Sequence, residues 1–130
     1  MDDFDIITNN PAVAGAYPEL TKFYQVGVLD IYTIARDMVH VGKKILSHPL
    51  SGSIKPWETC YKSIMMSRSI GKLDFVSLDY IENAIGMMNG RSTCFRVYTS
   101  EILEDFSVID LDLIKSAMKV SDTPKNGASA

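Results

Sequence analysis

The sequence predicts an α/β domain in which helices are layered on a small, mostly parallel sheet. Three observations point there. Strand-like and helix-like segments alternate over the first half of the chain. A helical stripe between about residues 28 and 41 stands between two strand-like stretches, 21–26 and 43–47, as a crossover between parallel strands would. The chain has 130 residues, 46% of them apolar, which suits one domain. About two-thirds of the unfolded surface is buried at that size, so the core needs neither metal nor disulfide.

Taken in order, FDIITNNP (4–11) reads as a short strand: Ile6 and Ile7 are β-branched, and Asn9-Asn10-Pro11 is a strong breaker. AVAGAYPEL holds at most a helical turn, and TKFYQV (21–26) alternates polar and apolar like a strand with one covered face. In the first long helix Ile31, Ile34, Ala35, Met38 and Val41 recur at three- and four-residue steps, Asp30 suits the first turn, and Gly42 stands where a left-handed residue ends a helix. KKILS (43–47) and TCYKSIMMS (59–67) are expected as third and fourth strands. Ser77 is expected to cap a helix whose stripe is Leu78, Ile81, Ile85 and Met88. TCFRVYT (93–99) reads as a strand. Ser100 and Asp110 read as caps of two further helices, the second with Leu113, Ile114, Ala117 and Met118 facing in. Residues 1–120 thus form one domain, and 121–130, without apolar content, form a flexible tail.

Charge divides the chain more sharply than the net value of −3 suggests. Between residues 40 and 73, Lys43, Lys44, Lys55, Lys62, Arg68 and Lys72 face Glu58 alone, while both flanks are acidic. A basic middle favours a small anion. Nucleic acid is not the expected partner, because the basic residues are not interleaved with aromatics and the whole chain is acidic. The acidic start MDDFD is unlike a signal peptide, no apolar run reaches the ~18 residues of a membrane span, and Cys60 and Cys94 fit free thiols, so a cytoplasmic protein is expected.

The chemistry concentrates in HPLSGSIKP (48–56). Ser51-Gly52-Ser53 supplies two hydroxyls and a glycine that lets backbone N–H groups converge. Lys55 and Lys62 add charge, His48 donates a hydrogen bond or carries a proton, and Pro49 and Pro56 restrict the loop. Strand direction places this loop on the same sheet edge as Asn9-Asn10, the edge at which open α/β sheets bind ligands. A plain turn, with His48 tying its own loop, explains the same residues. No cofactor or metal is expected: GxxxxGK[ST], GxGxxG, G-x-S-x-G, HExxH and CxxC are all absent. His40 suits the helix C-terminus.

With these segments in view, TNNP (8–11), RDMVHVGKKILSHPLSGSIKP (36–56), YKSI (61–64) and DFSVIDLDLI (105–114) together resemble the GrdX family. This is the small X protein encoded with the glycine reductase system of amino-acid-fermenting anaerobes. The resemblance implies a place beside selenium-dependent reductases of glycine, betaine or sarcosine that yield acetyl phosphate, but not a role as a subunit carrying the chemistry. The candidate ligand-binding residues in the matching blocks are Asn9, Asn10, His48, Pro49, Ser51, Gly52, Ser53, Lys55, Tyr61, Lys62 and Ser63.

Three readings follow. The first is a non-catalytic accessory protein that binds a small phosphate- or carboxylate-bearing molecule and works with glycine reductase components. The second is an enzyme using His48 as acid or base with Lys55 or Lys62 stabilising charge. The third is a docking module without a small ligand, for which a homodimer through an uncovered edge strand is one form.

Overall fold

A computed structural model describes residues 3–52, 55–88 and 98–122. Its elements in chain order are β1 (Phe4–Thr8), α1 (Pro11–Ala16), β2 (Thr21–Phe23), α2 (Val28–Val41), β3 (Ser63–Ser67), α3 (Phe75–Met88) and α4 (Ser100–Asp122). The α/β class is as expected. The sheet is mixed, with order β2-β1-β3. Strand β1 runs parallel to β2 and antiparallel to β3, in the register Ile6↔Met65 and Ile7↔Ile64.

A central strand must be apolar on both faces, which is why β1 carries Ile6 and Ile7 side by side. Ile7, Ile64 and Met66 pack against Val28, Ile31, Tyr32, Ala35 and Val39 of α2 and Ile81, Ala84 and Met88 of α3. On the opposite face Phe4, Ile6 and Met65 meet Val13 of α1 and Ile114 of α4. The α2 stripe is rotated from its expected position: Tyr32 and Val39 are buried, whereas Val41 is exposed. Helix α2 ends as its glycine requires. Gly42 adopts φ 116°, its N–H reaches the Val39 carbonyl at 3.0 Å, and the Lys43 N–H reaches Met38 at 3.0 Å. A Cβ on Gly42 would stand 2.3 Å from the Gly71 carbonyl oxygen.

Several boundaries differ from the sequence reading, each for a local reason. Residues 43–47 make no strand. A single antiparallel bridge joins Ile45 to Met66, flanked by Leu46 N–H to Met65 and Ser67 N–H to Lys44, both 2.8 Å. Serine hydroxyls take the remaining amides: Ser67 accepts from Lys44 N–H, Ser77 from Ile45 N–H and Ser47 from Met65 N–H. Strands β2 and β3 are shorter than 21–26 and 59–67. The cap of α3 is Asp74, which accepts from the N–H and hydroxyl of Ser77 at 3.1 and 2.6 Å; those bonds hold its carboxyl below the usual range. The two expected final helices are one, α4, and Asp110 is buried in its middle. The expected strand at 93–99 falls largely on 89–97, outside the described residues, as does 123–130 of the expected tail; α4 itself continues to Asp122.

Candidate functional site at one rim of the sheet

Because β1 and β2 are parallel, both open at the same rim. The 44–46 segment runs the same way, since it too lies antiparallel to β3. Asn9-Asn10 and the loop after Ser47 therefore leave the sheet at one rim. The rim holds a groove of about 520 Å³ lined by Asn9, Pro11, Phe23, Gln25, Gly27 and Tyr61. It sits at the carboxyl ends of the parallel pair, where ligands of open α/β sheets bind.

The two asparagines are buried and fully engaged. Asn9 donates its amide to the Val26 and Cys60 carbonyls at 2.8 and 2.9 Å, and its Oδ1 accepts from Lys62 N–H at 2.9 Å. One side chain thus ties the exit of β1 to the approach of α2 and the start of β3. Asn10 caps α1 by accepting from Ala12 N–H at 3.0 Å, with Pro11 at the first helical position. Its Nδ2 donates to the Ser107 carbonyl and to Asp110 Oδ2.

Asp110 is the centre of this network. It accepts from Ser63 N–H at 3.1 Å and from Ser63 Oγ at 2.7 Å. Ser63 Oγ lies 2.7 Å from Thr8 Oγ1, which in turn accepts from Asn10 N–H. With the Ser63 proton directed at the carboxylate, the Thr8 hydroxyl donates to Ser63, and the chain of bonds is polarised toward Asp110. Burial nevertheless pushes the Asp110 carboxyl above its ordinary range, against the lowering effect of Ser63, Asn10 and Lys62.

Lys62 stands close by, 6% exposed. No acceptor among the described residues lies within hydrogen-bond or ion-pair distance of its ammonium; the ion pair described is Arg68 with Asp5 at 2.9 Å. Burial lowers its proton affinity, and the Asp110 charge only partly opposes that. Lys62 and Asp110 line one recess of about 20 Å³, shared with Ser51, Thr59 and Tyr61.

The structure thus gathers Asn9, Asn10, Tyr61, Lys62 and Ser63, with Ser51 at the mouth of the recess. Gly52, in the left-handed region at φ 94°, packs against Leu113 of α4. Ser53 lies outside the described residues. His48 is held elsewhere: its ring stacks on Tyr80 of α3 at 4.4 Å, and its Nδ1 accepts from Leu50 N–H at 3.0 Å. The Pro49 carbonyl accepts from the buried Tyr32 hydroxyl at 3.0 Å. Burial, helped by the Asp110 charge, pushes that phenol above its ordinary range. Lys55 is exposed and lies over the Trp57 ring at 5.4 Å. Lys44 and Lys72 line a different hollow at the end of β3, so the basic segment does not converge on its loop.

Sequence reasoning passed over Asp110, Thr8, Phe23, Gln25 and Gly27. Asp110 left a signal: it lies four residues before Ile114, a carboxylate within an apolar stripe, where burial demands partners. The groove residues left none, since they meet only through β1–β2 pairing. Among the described residues no group of three or more His, Cys, Asp or Glu is placed to hold a metal, and no helix is long and apolar enough to cross a membrane.

Comparison with known proteins gives one finding. The family model described as GrdX-like protein matches residues 5–119, most of the chain. No curated protein matches, and no solved structure matches.

Proposed function

The chain belongs to the GrdX-like protein family, and from that premise we propose that it is a non-catalytic accessory protein of the glycine reductase system. In this reading it holds a small carboxylate- or phosphate-bearing molecule in the rim groove. The observation that carries the reading is the groove itself, about 520 Å³ at the carboxyl ends of β1 and β2. Asn9 makes its inner wall rigid by bonding three segments at once. Gly27, the residue ahead of α2, lines the groove, so the positive end of that helix favours an anion there, partly offset by Asp30. Among the described residues the groove lining includes no serine, cysteine, histidine, lysine or carboxylate, and His48 is turned to α3. These features favour holding over reacting.

Isothermal titration with acetyl phosphate, inorganic phosphate and acetate tests it. Millimolar or tighter binding of at least one is expected. Gln25 is exposed and lines the groove, so Gln25→Trp fills the space without touching the core. That variant is expected to bind roughly tenfold more weakly, about 1.4 kcal/mol. Folded protein that takes up none of the three at millimolar concentration overturns the reading.

A further inference from the structure

We propose that Lys62 is the charged anchor of this site, and that Tyr61 is the wall between it and the groove. The proposal rests on the groove reading and deepens it, naming a small oxyanion headgroup, carboxylate or phosphate, as what the site takes.

A lysine at 6% exposure without a described acceptor is an uncommon arrangement. Burying an ammonium costs several kcal/mol unless it is paired and hydrogen-bonded. Here the nearest carboxylate does not pair with it. The Asp110 oxygens are engaged by Ser63 N–H, Ser63 Oγ and the Asn10 amide, and lie beyond ion-pair distance of Lys62. Asp110 therefore acts on Lys62 only from a distance, and no direct pair matches the ammonium among the described residues.

The recess beside Lys62, about 20 Å³, has room for one water and no more. Tyr61 lines that recess, the 520 Å³ groove, and a third hollow of about 340 Å³ that includes Asn10 and Ser107. Three hollows meeting at one half-buried side chain make that side chain the partition. Turning Tyr61 joins groove to recess and brings an oxyanion in the groove to the Lys62 ammonium, with the hydroxyls of Ser51 and Thr59 beside it.

Lys62→Met tests the anchor, since methionine keeps an unbranched side chain only one atom shorter and removes the charge. Without ligand, the variant is expected to melt at or above the wild-type temperature, because an uncompensated buried charge has gone. With acetate, inorganic phosphate or acetyl phosphate, it is expected to lose roughly tenfold or more in affinity. The three probes separate carboxylate from phosphate as the preferred headgroup. An unchanged affinity in Lys62→Met overturns the anchor while leaving the groove reading intact. Absence of binding by the wild type overturns both.

A second measurement needs no variant. The Lys62 13Cε resonance of the wild-type protein, followed against pH, is expected to titrate at higher pH when the preferred probe is saturating, because a bound anion favours the charged form. A midpoint that does not move with the probe overturns the proposal even if Lys62→Met does not fold.

Discussion

Asn9 and Asn10 look in the sequence like an ordinary turn before proline, and at the level of local chemistry they are. Asn10 does what its position suggests, capping α1 ahead of Pro11. Its second role, donating to Asp110 across a separation of 100 residues, is invisible in any local window. Asn10→Ala removes a cap worth ~1 kcal/mol and leaves a buried carboxylate short of a donor, which costs a further ~1–3 kcal/mol. A total loss of about 2–4 kcal/mol is expected in urea unfolding, well above the loss of the cap alone. Lys62 shows the opposite limit of local reading. In the sequence it is one of six basic residues between 40 and 73 and nothing local marks it as buried, yet it is, with Asn9 fixing its backbone at the start of β3. Gly42 was fully legible, since only a left-handed residue ends α2 so close to Gly71.

Among the elements, β1 and α2 were readable because each carries its own signal: paired β-branched residues in one, an apolar stripe closed by glycine in the other. The sequence reads α4 as two helices because Ser100 and Asp110 both resemble caps. What decides between cap and core for Asp110 is Ser63, on a strand 47 residues earlier. The groove was out of reach for the same reason, as it exists only once β2 has paired with β1. Within α4, Asp110→Ala leaves Ser63 N–H and one N–H of the Asn10 amide without their acceptor and is expected to cost about 2–4 kcal/mol. Asp110→Asn, which keeps an acceptor for Ser63 N–H and removes the buried charge, is expected to cost less. Chemical denaturation of the two variants side by side measures the difference.

For the whole molecule, three buried groups disfavour their own charges, and this gives stability a defined pH dependence. The Asp110 carboxyl in the fold titrates above its ordinary 3.8. Between those values the native state holds the extra proton, so stability falls as pH rises through that window. The Lys62 ammonium titrates below its ordinary 10.5. There the unfolded chain holds the extra proton, so stability rises with pH until the ordinary lysine range is reached. Tyr32, raised above 10.0, turns the curve down again at the alkaline end. Subtracting the Lys62→Met unfolding profile from that of wild type is expected to isolate the alkaline rise, and a flat difference would contradict it. Beside β3 the 44–46 segment is bridged at Ile45, and the Ile45 N–H, which an added strand would otherwise claim, is taken by the Ser77 hydroxyl of α3. That leaves this border one donor short for ribbon-like growth, which disfavours extension of the sheet from that side into a neighbour or a fibril.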